Sequence, residues 1–429
     1  MIKKIFTIAF LLCIGGIATL MLLWHQGNVT PALNLPAPSP VPAPNAFDTF
    51  DRAYGQFHDL DKVDNTLSSG VTLSPDFSNG LKGITLTDSA RIASENSPAV
   101  ASLEHGLTES YCAPPWLTNR QTFGYLPHDR GMARAISFSA RVAGRKGDWT
   151  TTIRESLDCI DLGNKIDESG GLLPKLVGLA CGALGRPTAW GAVDHLDSQT
   201  ALESGRRLET LTDNRASFSS TLHQEKMNID TVVVNEFRQP YPLYDLTGEP
   251  RLKYKIIQGM YFTFNPKSRT LTLFNSYMDA ASHTAKLPYQ TAQKTGDPPL
   301  PRDMLCLILC PTPSKILFKD TADAAFDRLL TTSLALRAYS LDHGGAYPAS
   351  LGGLCPKYLT HVPIDPFGNG MAPLIYRGVK STYLLYSIGP DGKNDGGRPF
   401  LHRTTSGQTT RRWCTMDDTG DIVAGVNKG

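Results

Sequence analysis

The sequence predicts an α+β protein: an apolar N-terminal helix, a mainly α-helical central domain of antiparallel helical hairpins, and a C-terminal unit of one helix plus a small antiparallel sheet. Three observations predict it. The run from Ile5 to Trp24 carries no charged residue. Between residues 46 and 300, apolar residues recur at three- and four-residue spacing, the period of a helix with one buried face. Beyond residue 370 the period changes. Leu374 to Tyr376 and Thr382 to Ser387 alternate or run apolar and β-branched, as strands do.

The N-terminal run spans about 20 residues, enough to cross ~30 Å of hydrocarbon. Lys3 and Lys4 precede it and favour a cytoplasmic N-terminus. Residues 1–4 are therefore expected to form a cytoplasmic tail and residues 5–24 a transmembrane signal anchor. The body then lies on the extracytoplasmic side, periplasmic or cell-surface. A cleaved signal peptide is the rival, but its apolar core is shorter and ends in small residues. Met21, Leu22, Leu23 and Trp24 make a poor cleavage site. Residues 25–45 read as a Pro-rich linker, with TPALNLPAPSPVPAP from Thr30 to Pro44 favouring a stiff polyproline spacer.

The 429 residues suggest two or three folded units, and an apolar share of 41% supports a packed core. A net charge of +2 supplies no basic face, so nucleic acid is not an expected partner. The eight cysteines show no zinc-type CxxC pair. Cys306 and Cys310 are four apart and no second pair follows.

In the central region (46–300), Asn45 can cap a helix through Phe47, Phe50, Tyr54 and Phe57. Thr87 or Asp88 can start the next, and Ser97-Pro98 resembles a further start. Met132, Ile136, Phe138 and Val142 share one helix face; Gly144 to Gly147 break it. Trp149, Ile153, Leu157, Ile160 and Leu162 continue the spacing; Gly170-Gly171 break it again. Leu172 to Leu184 form a third apolar helix with Pro174 in its first turn. Further helices are expected over Ala201–Leu211 and Lys267–Ala285. Thr231–Val234 and Tyr254–Phe264 fit either strand or buried helix. No HExxH, GxSxG, GxxxxGK[ST] or GxGxxG motif is present. His195 with Asp197, and His223 with Glu225, are two apart and face different ways on a helix. His105, His128, His195 and His223 are the bases available to a hydrolase built from distant residues.

The C-terminal region (320–429) follows a connector at 301–319. Thr321 can cap a helix with Asp323 near its positive end. Ala325, Phe326, Leu329, Leu330, Leu334, Arg337 and Tyr339 follow at helical spacing. Gly345, Tyr347-Pro348, Tyr358-Leu359, Pro363, Asp365-Pro366-Phe367-Gly368, the two strands, Ser387, Gly389, Asp391-Gly392, Gly396-Gly397 and Asp421-Ile422 come next. This ordered series resembles the C-terminal domain of the major pseudopilin of type II secretion systems, over roughly a quarter of the chain. The resemblance implies a calcium-binding loop, with Asp391, Asp421 and the carbonyl of Ile388 as ligands. Asp395 and Asp418 are further candidates by composition. Ca²⁺ takes hard oxygen donors from carboxylates and carbonyls, as such a loop offers. Pseudopilins also carry a Glu within the apolar N-terminal helix. None lies between Ile5 and Trp24, so pilin-type assembly by that route is not expected.

These readings converge on a non-enzymatic, membrane-anchored cell-envelope protein with an assembly or interaction role, meeting protein partners or its own copies. The alternatives are an extracytoplasmic hydrolase with its site in the helical domain, and a true secretion-system component that oligomerises through the apolar helix.

Overall fold

Side-chain caps and glycine turns divide the chain into helices. The computed structural model describes residues 2–29, 32, 40–60, 63, 84–113, 123–168, 170–238, 259–379, 381–403, 409–410 and 414–427. Helix α1 covers Ile2–Asn28. The side chains of residues 5–11 in the expected anchor, and most of the Pro-rich linker, lie outside the described residues. Among the described residues no helix is long and apolar enough to cross a membrane.

Asn45 caps α2 (Ala46–Tyr54) through the Phe47 amide. Thr85, rather than Thr87 or Asp88, caps α3 (Leu86–Leu107). The expected second start at Ser97-Pro98 is absent. Proline removes one ladder hydrogen bond, but Ala99, Val100 and Leu103 are buried beyond it, and their packing carries the helix through. Helix α4 spans Leu126–Arg145 and α5 spans Trp149–Asp167, capped by Asp148. Gly147 turns between them at φ 77°, a conformation open to glycine. Helix α6 (Leu172–Ala192) runs past the expected end at Leu184 and through Pro187. Helices α7 (Ser198–Asp213) and α8 (Phe218–Arg238) follow. Thr231–Val234 is helical within α8. Of the other ambiguous stretch, 254–258 lies outside the described residues and 259–264 is helical. Helices α9 (Lys267–Thr284), α10 (Tyr289–Thr295) and α11 (Met304–Leu309) lead to the longest helix, α12 (Pro313–Asp342).

Helix α12 begins at Pro313, not at Thr321. Proline suits the first helical position because its missing N–H would have no partner there. Thr321 sits mid-helix and donates its hydroxyl to the Leu317 carbonyl at 2.7 Å. Residues 304–309 and 313–319 of the expected connector are thus helical. Strands β1 (Ile375–Val379), β2 (Thr382–Ser387) and β5 (Ile422–Val423) form an antiparallel sheet ordered β1-β2-β5. Arg377 pairs with Leu384, and Ser387 with Ile422. A two-residue pair, β3 (His402–Arg403) and β4 (Thr409–Thr410), stands apart. The chain is α+β.

One core crosses the expected domain boundary. Ile153, Leu157 and Trp190 of the α5–α6 hairpin pack in the same cluster as Leu329, Leu330 and Leu334 of α12 and Phe367, Leu385 and Ile422 of the C-terminal unit. A second cluster joins α2, α3 and α4 through Phe50, Leu103 and Met132. A third joins α8 and α9 through Phe218, Leu222 and Phe274. Helices α5 and α6 approach so closely that a Cβ at Gly163 or Gly178 would meet the other glycine's carbonyl.

Beside this contact lies a buried charge network. Lys175 bonds Asp167 at 2.7 Å and Asp320 at 3.0 Å. Arg186 reaches Asp327 at 2.5 Å and also pairs with Asp323. Arg215 bonds Asp320 at 2.8 Å and Asp323 at 2.7 Å. Buried charges persist only when paired and hydrogen-bonded. The network therefore fixes α12 against α6 and the α7–α8 turn. Asp323, read in sequence as a first-turn residue, is instead a partner of two arginines from inside α12.

Candidate functional site

A groove of about 330 Å³ opens between α3, α4 and the first turns of α5. Its walls are small because the sequence places Ala90, Ala93, Ser97 and Ala101 along α3, and Ser139 and Ala143 along α4. Charged residues come from the α4–α5 turn and from α5: Lys146, Asp148, Arg154 and Glu155. Arg154 pairs with Glu104 of α3 across the groove. Glu155 is 4% exposed, and its Oε2 has no hydrogen-bond partner. Burial pushes its carboxyl up to about 7; the Ser139 hydroxyl and the Arg154 charge offset this in part, and Asp158 and Asp148 add to it. A carboxyl balanced near neutral pH in a cleft has the properties of a general acid or base. No sequence motif marks Glu155. The one available signal is an acidic residue within a helix whose flanking Ile153 and Leu157 face the core.

The four histidines of the sequence reading do not come together. His105, in the last turn of α3, lies 3.5 Å from Glu109 just beyond the helix end. His128 stacks on Tyr54 at 4.0 Å and His195 on Trp149 at 3.9 Å. His223 is exposed on α8. Asp197 caps α7 through Thr200, and Glu225 accepts the Leu172 amide at 2.8 Å. None of these histidines lines the groove.

The C-terminal loop gathers part of the expected metal set. Asp421 is fully buried and accepts the amides of Gly397 at 2.7 Å and Asp395 at 3.3 Å. Its carboxyl is raised by burial, lowered by those two amides, and raised again by the charges of Asp395 and Asp391. Asp391 accepts the Lys393 amide, and Asp395 pairs with Arg398 at 2.9 Å. Asp418 accepts the Thr415 amide at 2.8 Å. Ile388 is fixed by its N–H, which donates to Asp365 at 2.9 Å. Asp365 also takes the Ser387 hydroxyl at 2.6 Å and the Phe367 amide at 3.0 Å. The donors suit Ca²⁺ in kind, all being oxygen, and a cation beside Asp421 would relieve the repulsion from Asp395 and Asp391. Several of these oxygens already accept protein hydrogen bonds. All eight cysteines are free thiols.

A second unmatched carboxyl, Asp129 at the start of α4, is 5% exposed with no partner for Oδ2. Burial, with a contribution from Asp51, pushes it up to about 8. Between its ordinary value and about 8, the folded chain holds a proton that the unfolded chain releases. Stability from this proton is full below about pH 4 and is lost as pH rises through the folded value, by ~1.4 kcal/mol per unit. Glu155 acts in the same direction over a shorter window, ending near 7. The melting temperature should therefore fall between pH 5 and pH 8.5, and fall less in Asp129→Asn. Equal slopes in both proteins would show that Asp129 is not protonated in the fold. Comparison with protein-family models, with curated proteins and with solved structures gives no match to the chain.

Proposed function

We propose that the chain is a non-enzymatic, membrane-anchored protein of the cell envelope, with an assembly or interaction role, carrying a pseudopilin-like and calcium-stabilised C-terminal module. One observation carries the membrane reading. Helix α1 presents Leu12, Ile17, Leu20, Met21 and Leu22 outward, each more than half exposed. At its base the apolar surface continues. The Trp24 ring lies against Gly259, and Asn28 Nδ2 donates to the Gly259 carbonyl at 3.2 Å. Met260 and Phe264 on the same turn, and Met304, Leu307 and Ile308 on α11, are exposed. Tyr261 lies near Asp303 at the α11 start, which links the two sets. Exposed apolar patches of this kind mark contact with lipid or protein. Lys3 and Lys4 favour a body on the extracytoplasmic side, periplasmic or cell-surface.

The full chain should resist alkaline extraction from membranes, and Ile17→Asp with Leu20→Asp should release it. Extraction of the unaltered chain would refute the anchor. For the module, Ca²⁺ should raise the melting temperature of the detergent-solubilised chain, since a ligand of the folded state alone stabilises it. Asp391→Ala should remove the rise. An unchanged melting curve at millimolar Ca²⁺ would exclude the metal.

The groove favours a second reading, an extracytoplasmic hydrolase in which Glu155 handles the proton. Its test is turnover of glycosyl, acyl or phosphoryl model substrates by the unaltered chain. Loss of at least about a hundredfold in Glu155→Gln is expected, and no turnover, or turnover indifferent to that change, rules the reading out.

A further inference from the structure

We infer that Glu209, Asp213 and His361 form a binding site for a divalent transition ion of the Zn²⁺ class, joining α7 to the C-terminal unit. Glu209 and Asp213 are four apart on α7 and so share one face. His361 comes from the segment between the Leu351–Leu354 turn and β1. One donor atom from each residue can be chosen so that all three lie within 4.8 Å of one another. His361 Nε2 stands 3.7 Å from Asp213 Oδ1, and Nδ1 stands 3.8 Å from Glu209 Oε1.

The hydrogen bonding around Thr360 points to a cation. Glu209 is 7% exposed, and its Oε1 accepts both the Thr360 amide and the Thr360 hydroxyl at 2.8 Å. The same hydroxyl lies 2.9 Å from His361 Nδ1. A hydroxyl has one proton, and here the carboxylate takes it. Nδ1 must then carry the ring proton and donate it to the Thr360 oxygen. That tautomer leaves a lone pair on Nε2, facing the carboxylate of Asp213. A cation seated between Nε2 and this carboxylate, 3.7 Å apart, would bond both. An imidazole whose far nitrogen is fixed by a hydrogen bond is the usual state of a metal ligand.

The spacing and the donors select the ion. Zn²⁺ holds nitrogen and oxygen at ~2.0–2.2 Å, which places tetrahedral donors about 3.4 Å apart. The Nε2–Asp213 separation of 3.7 Å needs to close by only a few tenths of an ångström, and Glu209 completes a set whose donors lie within 4.8 Å of one another. A cavity of about 10 Å³ adjoins the three residues, lined also by Thr331 and Arg328, and is of the size a single water fills as fourth ligand. Arg328 is held by the Ile364 carbonyl at 2.7 Å, and its charge offsets one of the two carboxylates. Two carboxylates, a nearby arginine and an imidazole suit a borderline ion and not Ca²⁺, which needs six or more oxygens. His361 and Asp213 are partly exposed, so an ion has a way in.

The test is titration of the full chain in detergent with Zn²⁺, and with Co²⁺ as a spectroscopic probe. The expected result is one ion per chain, with visible Co²⁺ bands free of thiolate charge transfer. Affinity should fall at least about tenfold in His361→Ala and in Asp213→Asn, and by ~10–100-fold in Thr360→Val, which removes the oxygen that fixes the ring. Circular dichroism of each variant separates loss of binding from loss of fold. Excess Ca²⁺ should not displace the ion. The inference is overturned by no binding, by affinity equal to that of His361→Ala, or by thiolate bands, which would place the ion at Cys306 and Cys310.

Discussion

Three cations buried among four carboxylates set the position of α12, and the C-terminal unit is built on α12. Lys175, Arg186 and Arg215 cannot leave water without partners, and Asp167, Asp320, Asp323 and Asp327 supply them. A bonded guanidinium between two carboxylates adds directional bonds to the apolar packing and so favours one rotation of the helix. The contact between Gly163 and Gly178 brings α5 and α6 near enough to place Asp167 beside Lys175. Close backbone packing and charge pairing are thus one constraint. Together they seat the long helix against which Phe367, Leu385 and Ile422 pack.

The C-terminal unit uses buried carboxylates in a second way. Asp365 gathers the Ser387 hydroxyl and the amides of Phe367 and Ile388, joining the turn after Pro363 to the end of β2. Asp421 gathers the Gly397 and Asp395 amides, joining the start of β5 to the glycine-rich loop. A sheet of such short strands has few ladder hydrogen bonds of its own, and these carboxylates replace them. The residues that carry the resemblance are therefore also residues that hold the loop in place, so the motif has a structural explanation whether or not an ion binds.

Much of the helical body was legible because its signals are local. Asn45 caps α2, and Gly147 and Gly170-Gly171 turn where the spacing breaks. The failures share a cause. Ser97-Pro98 looked like a start because local chemistry favours one, and tertiary packing overrode it. Thr321 looked like a cap because α12 is buried on several sides and shows no single apolar stripe to mark where it begins. Asp323 could not be recognised as a partner of Arg186, 137 residues away, without the fold. The same limit hid the groove and the α7 cluster. Glu155 has no motif, and Glu209 and His361 are separated by some 150 positions.

Buried carboxyls in this chain divide by what they face. Asp327 faces two arginines, and Asp365 and Asp421 face amides; each is matched by donors that the fold supplies. Asp129 and Glu155 each keep an oxygen with no partner. Leaving a buried polar atom unmatched costs about 1–3 kcal/mol, so such atoms require a reason. For Asp129, protonation lowers the cost. Glu155 differs because it lines an open groove with small walls, where a cationic or hydroxyl-bearing ligand could supply the missing donor. Glu104, whose Oε1 has no hydrogen-bond partner beyond its ion pair with Arg154, lines the same groove, so a ligand there meets two buried carboxylate oxygens.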